Sequence, residues 1–86
     1  MSDTQARFEA AVTRSKTLPS QPPKVQLKLY GLFKQATAGD VIGKRPGPLD
    51  IKGRAKHDAW AELEGTSADD AMASYADFVD ELAGGR

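Results

Sequence analysis

Tyr30, Lys34, Lys56 and Tyr75 carry what chemistry this chain offers. Tyr30 and Lys34 stand four residues apart, which on a helix puts both side chains on one face. Leu27 lies three residues before Tyr30 and extends that face with apolar surface. Lys56 stands four residues before Trp60. An ammonium is a point-charge partner for phosphate and a phenol adds a directional hydrogen bond, so the four groups could converge on a phosphate. An aromatic ring beside them could stack on a purine. The same residues also suit a plainer arrangement, with the tyrosines in the core and the lysines in solvent. Gly31 costs a helix about 1 kcal/mol relative to alanine, so either something approaches closely there or the cost is tolerated.

Catalytic alternatives fail on residue type. The only histidine is His57, between Lys56 and Asp58. No Gly-x-Ser-x-Gly elbow and no pair of histidines for zinc is present. Asp58 and Glu62 stand one helical turn apart, a spacing that fits a solvated face better than an acid–base pair. Gly39-Asp40-Val41-Ile42-Gly43-Lys44-Arg45 imitates a phosphate-binding P-loop but has three residues between its glycines where four are needed. Arg45 also stands where a hydroxyl should be, and a helix rather than a strand precedes the segment. No catalytic residue, metal ligand set or prosthetic cofactor is expected.

A chain of 86 residues makes one small domain, 1–86, with a surface groove rather than an enclosed cavity. With no cysteine, disulfides and thiolate metal sites are excluded. No apolar run approaches the ~20 residues of a membrane-spanning helix, and the amino terminus lacks signal-peptide character. The expectation is a soluble, cytoplasmic monomer. Its zero net charge conceals segregation. Residues 14–56 hold ten Lys/Arg against Asp40 and Asp50, about +8; residues 57–83 hold eight acids and no Lys or Arg, −8. That pattern fits either oppositely charged helices attracting one another or a positive surface prepared for an anion. The neutral total argues against a nucleic-acid binder.

The elements that must position these groups read as helices. Ala68, Ala71, Met72, Tyr75, Phe78, Val79 and Leu82 make one helical stripe, started by Ser67 and ended by Gly84-Gly85, predicting a helix over 67–83. Val25, Leu29, Leu32, Phe33 and Ala36 form the apolar face of a helix over 22–38, opened by Pro22-Pro23. Ile51, Ala55, Ala59, Trp60 and Leu63 predict a third over 51–64, and Phe8, Ala11, Val12 and Ser15 a shorter one over 4–17. Three glycines and two prolines keep residues 39–50 irregular.

Taken in order, these residues resemble the acyl-CoA-binding protein family. The resemblance runs through Tyr30-Gly31-Leu32-Phe33-Lys34-Gln35-Ala36-Thr37-Ala38-Gly39-Asp40, Arg45-Pro46-Gly47, Asp50, Gly53-Arg54-Ala55-Lys56 and Ala59-Trp60. It continues through Leu63-Glu64-Gly65-Thr66-Ser67, Ala71-Met72 and Tyr75, with Phe8 and Lys16 ahead of them. It implies an all-α, up-down-down-up four-helix bundle that carries fatty acyl-CoA esters and catalyses nothing. By that resemblance Tyr30, Lys34, Lys56 and Tyr75 surround the CoA 3′-phosphate and ribose, Phe33 lies on the adenine, and Gly31 and Leu32 belong to the same binding stretch. Lys16 also touches the ligand, while Phe8, Ala11 and Leu27 line the acyl-chain groove. The cargo is the acyl-CoA ester, no cofactor is needed, and lipid-metabolising enzymes are the recipients, with no nucleic acid and no stable membrane insertion. Three departures stand out: Phe33 where a tyrosine is usual, His57 where a large aromatic is usual, and Pro48 with Ile51 ahead of the third helix. A protein–protein adaptor using the acidic last helix, and a general nucleotide-binding bundle, remain alternative readings of the same residues.

Overall fold

A computed structural model describes residues 3–84 as four helices and no strand. They are α1 (Asp3–Ser15), α2 (Pro23–Ala38), α3 (Ile51–Ala61) and α4 (Ala68–Leu82). The starts of α2, α3 and α4 each have a local cause. Pro23 occupies the first turn of α2, where its missing N–H is no loss. The Asp50 carboxylate accepts from the Gly53 N–H at 2.9 Å, and the Ser67 hydroxyl oxygen accepts from the Asp70 N–H at 3.0 Å, capping α3 and α4.

Two helices stop short of the ranges their periodicity predicts. After Ser15 the chain tightens into three-residue bonds, Lys16 N to Thr13 O and Thr17 N to Arg14 O. The Ser15 and Thr17 hydroxyls reinforce that turn by donating to Val12 O and Arg14 O, each at 2.7 Å. After Ala61 the same tightening occurs, with Leu63 N to Trp60 O and Glu64 N to Ala61 O. Apolar spacing continues through both turns because Leu18 and Leu63 still pack on the core, so periodicity alone overruns the helix ends.

The four helices sit in the spatial order α1–α4–α2–α3, since the backbones of α1 and α4, of α4 and α2, and of α2 and α3 pack side by side, while α1 also meets α2 through the Phe8 and Phe33 rings. The molecule is accordingly flat, 38 × 29 × 17 Å. α2 and α3 run in the same direction: Lys56 lies over Tyr30, Gly31 meets Ala59, and Lys34 lies over Trp60. α4 runs against α2, with Phe78 beside Lys28 and Tyr75 beside Phe33. The result is an up-down-down-up bundle.

The core belongs to α1, α2 and α4. Phe8, Ala11, Leu32, Ala36, Ala71, Tyr75, Ala76 and Val79 are buried together, with alanines allowing the helix axes to approach. α3 gives none of its residues to that cluster. Ile51, expected on the apolar face of α3, is 79 % exposed because α3 has a neighbour on one side only.

Two contacts fix α3 against α2. A Cβ at Gly31 would lie 2.6 Å from the Ala59 carbonyl oxygen, so glycine permits the close helix crossing. At the other end, Gln35 is fully buried and its amide donates to Asp40 Oδ1 and Thr66 O, both at 2.8 Å. Asp40 Oδ1 also accepts from the Gly65 N–H at 2.8 Å, and the Trp60 indole donates to Gly39 O at 2.7 Å. The turn is made possible by Gly39, whose φ of 82° suits a residue without a Cβ.

Gly31→Ala tests the crossing. Helix propensity alone would stabilise the variant by about 1 kcal/mol. Overpacking against the Ala59 backbone should outweigh it, leaving a net loss of about 1–3 kcal/mol in urea unfolding. A variant as stable as the parent would mean that the helices separate at no cost.

Candidate ligand-binding groove

A groove of about 510 Å³ opens between the amino-terminal halves of α2 and α3. Pro23, Gln26, Leu27 and Tyr30 form one wall; Ile51, Lys52, Ala55 and Lys56 form the other. Its floor is apolar and its upper end is cationic. There the Lys56 ammonium lies 5.4 Å from the centre of the Tyr30 ring. One turn further along α2, the Lys34 ammonium lies 4.9 Å from the centre of a Trp60 ring. Neither lysine makes an ion pair with any described residue. Two ammonium groups resting on aromatic faces keep their charge available for an anion.

Three of the acids are committed to arginines elsewhere. Asp58 receives both Nε and Nη2 of Arg45, at 2.8 and 2.6 Å. That bond, more than the nearby charges of Arg45, His57 and Arg54, holds the Asp58 carboxyl below its ordinary value. Asp77 and Asp80 pair with Arg7 and Arg14 across α1 and α4. Of the ten cations in residues 14–56, only Arg14 and Arg45 enter an ion pair among the described residues. Of the two origins considered for the charge pattern, the positive surface therefore predominates.

A second aromatic group lies where α2 meets α1 and α4. The Phe33 ring, 37 % exposed, lies 6.0 Å from the Phe8 ring and 6.4 Å from the Tyr75 ring. Tyr75 is buried, and its hydroxyl donates to Ser15 Oγ at 3.1 Å. Ser15 in turn donates to Val12 O. The phenolic proton of Tyr75 is thus already placed, and meeting a phosphate would require it to change partner.

The structure brings Tyr30, Lys56 and Leu27 together in one groove, with Lys34 on the same face of α2. Phe8 and Ala11 are core residues and do not line the groove that Leu27 lines. Leu32 is buried and borders a second groove of about 490 Å³ between the same two helices. That second groove carries Lys24 and Lys28 opposite Asp58 and Glu62, so it offers no net charge to an anion. Gly31 is buried at the helix crossing. Lys16 is exposed just beyond the end of α1, next in sequence to Ser15.

Residue spacing pointed to one wall of the groove and, on the other, to Lys56 alone. Lys52 stands four residues before Lys56, so the rule that pairs Tyr30 with Lys34 would have found it. Ser15 carried no comparable signal, because its role depends on a tyrosine sixty residues away.

A thin all-helical bundle with an apolar surface groove and unpaired cations at one end belongs to the class of small ligand-binding bundles. Residues 5–79 match the family described as acyl CoA binding protein. The chain is 46 % identical over 76 residues to acyl-CoA-binding protein homolog 1 of Caenorhabditis elegans, covering 87 % of this chain and 88 % of that one. It is 45 % identical over 78 residues to the acyl-CoA-binding protein of Ricinus communis, covering 90 % and 87 %. It superposes on the crystal structure of Oryza sativa acyl-CoA-binding protein 2 with a TM-score of 0.91 and 44 % identity, covering 94 % of this chain and 89 % of that one. The chain belongs to the acyl-CoA-binding protein family, and the relatives just described are named for binding and not for catalysis.

The Asp40 contacts predict a specific acid response. Its carboxyl is held below its ordinary 3.8, first by the Gly65 N–H and then by the Gln35 amide. A carboxyl lowered on folding stabilises the protein above its unfolded value, and that stabilisation is lost as pH falls through the folded value. Asp40→Asn should therefore melt below the parent at neutral pH, with the gap closing as pH drops below about 4 in circular dichroism. A gap that stays constant with pH would show that the carboxylate charge is irrelevant.

Proposed function

We propose that this protein is a non-catalytic carrier of medium- to long-chain fatty acyl-CoA esters, binding them reversibly and passing them to lipid-metabolising enzymes. The observation that carries the reading is the pairing of unneutralised Lys56 and Lys34, seated on Tyr30 and Trp60, with an apolar groove beginning at the same place. An acyl-CoA has the matching construction, a phosphorylated head joined to a hydrocarbon chain.

In this reading Tyr30, Lys34 and Lys56 hold the 3′-phosphate and ribose, Phe33 takes the adenine face, and Tyr75 and Lys16 complete the head-group side. Gly31 and Leu32 contribute by setting the distance between α2 and α3. Leu27, Ala55 and Ile51 shelter the first methylenes. Phe8 and Ala11 stay in the core, where Phe8 backs the Phe33 ring on the head-group side. Each buried methylene adds about 0.8 kcal/mol, so affinity climbs with chain length until the groove is filled. The carrier is a single domain acting as a cytoplasmic monomer, and a chain without cysteine needs no oxidising compartment to fold.

Calorimetry with free CoA, a free fatty acid, ATP and acyl-CoAs of increasing length tests the reading. Both halves of the ligand must contribute: free CoA and its long-chain ester binding equally would overturn it. Lys56→Ala and Tyr30→Ala should each weaken the acyl-CoA complex about ten- to hundredfold, the loss expected for a hydrogen bond to a charged group. Asp80→Ala, which breaks the ion pair to Arg14, should leave binding unchanged.

The Phe33 departure gives a converse test. Phe33→Tyr restores a phenol beside the head-group site and should tighten acyl-CoA binding by about 0.5–1.5 kcal/mol. Unchanged affinity would mean that no polar atom of the ligand reaches residue 33.

A further inference from the structure

The Tyr75 hydroxyl lies 3.1 Å from Ser15 Oγ, and Ser15 Oγ lies 2.7 Å from Val12 O. The direction of this relay follows from its last member. A carbonyl oxygen carries no proton, so the Ser15 proton must point to Val12. Ser15 then meets Tyr75 only as an acceptor, and the single phenolic proton is spent on it. What the Tyr75 oxygen has left to offer is a lone pair.

Both members of the pair are held in place. The Tyr75 ring is 4 % exposed and stands edge-on to Phe8, with centroids 5.2 Å apart and planes at 71°. Phe33 borders it at 6.4 Å. Ser15 is the last residue of α1, half-buried, where the chain tightens through the bond from Lys16 N to Thr13 O. A serine bonded back to the carbonyl three residues earlier is aimed by its own helix. Ring and acceptor are fixed, and the O–H bond is the part that can turn.

The chemistry of the head group gives this relay its consequence. A phosphate at neutral pH presents strong acceptor oxygens, whereas a ribose hydroxyl and the adenine amino group can donate. A phenol with a free proton suits the first kind of group. A phenol whose proton is engaged suits the second, and must break its bond to Ser15 before it can serve the first. We propose that Ser15 is a positioning residue that withholds the Tyr75 proton from the 3′-phosphate of the ligand. Tyr75 thereby becomes an acceptor for a donor group of the nucleoside. The phosphate is left to Lys34, Lys56 and Tyr30, so the two parts of the head group are recognised by different residues. The inference rests on the carrier reading, which puts Tyr75 on the head-group side.

Valine and threonine share a shape and differ in the hydroxyl, so Ser15→Val and Ser15→Thr make a matched pair. Calorimetry of both, beside the parent, with a long-chain acyl-CoA and its 3′-dephospho analogue tests the assignment. Ser15→Val frees the phenolic proton and should tighten acyl-CoA binding about tenfold, as one hydrogen bond to a charged acceptor does. The dephospho ester should gain nothing. Ser15→Thr keeps the acceptor and should preserve the parent's ratio between the two ligands. In a Tyr75→Phe background Ser15→Val should tighten neither, because no phenolic proton is there to release. Ser15→Ala, which adds no bulk, repeats the comparison should valine unfold the chain. A residue that merely supported the fold would weaken both ligands alike on substitution. That outcome, equal ratios in the valine and threonine variants, or a gain shared by the dephospho ester would overturn the proposal. Failure of the parent to bind acyl-CoA would instead sink the carrier reading, and this inference with it.

Discussion

One oxygen of Asp40 accepts hydrogen bonds from the Gln35 side chain and from the Gly65 backbone, and Gln35 also donates to Thr66. These bonds gather the end of α2, the start of the long loop and the link between α3 and α4 at one point. Turning the Gln35 amide over would set its carbonyl oxygen against the Asp40 carboxylate and the Thr66 carbonyl, so its orientation is dictated by its partners. Both bonds of the buried Gln35 NH2 are made, and losing either would leave a buried donor unpaired. Everything at the site follows from this point together with the Gly31 crossing. They set how far along α2 the third helix sits, and hence that Lys56 meets Tyr30 and Lys34 meets Trp60.

The two kinds of basic residue have separate duties. Each described arginine is bonded within the protein: Arg7 and Arg14 to α4, Arg45 to Asp58, Arg54 to Pro46 O. No lysine side chain makes an ion pair among the described residues, and Lys28, Lys34 and Lys56 lie over aromatic rings. Guanidinium forks suit fixed, two-point contacts with carboxylates, while an ammonium on a flexible stem keeps its charge movable. Structural positive charge and ligand-facing positive charge are thereby carried by different chemistry. The net charge of zero conceals this division.

Much of the fold was legible from periodicity because α4 and α2 are half-buried helices with continuous apolar faces. Their stripes pass through the residues that form the core, including Ala71, Tyr75, Val79, Leu32 and Ala36. α3 misled in one respect: Ile51 continued its apolar pattern, yet the helix has a single neighbour and leaves that side chain in water. Gln35 gave no signal at all, since no pattern marks a glutamine as the most buried polar residue. Its partners lie five and thirty-one residues away, and only folding brings them together. At the site, four-residue spacing was enough for Tyr30 and Lys34. Ser15 and the orientation of Tyr75 depend on a contact between the two ends of the chain, which local spacing does not encode.

α3 is joined to the other helices by one seam, and none of its residues enters the shared core. In energetic terms the protein is a three-helix unit with a fourth helix attached. Cooperative stability need not be uniform across such a structure, and an element with few buried apolar contacts opens at lower free energy than the rest. Of the four helices, α3 is therefore the one whose parting disturbs the shared core least. A molecule lying in the groove touches both sides of that seam, so occupancy and closure of α3 become one equilibrium. The resistance of this helix to unfolding then serves as a measure of how much of the protein is loaded.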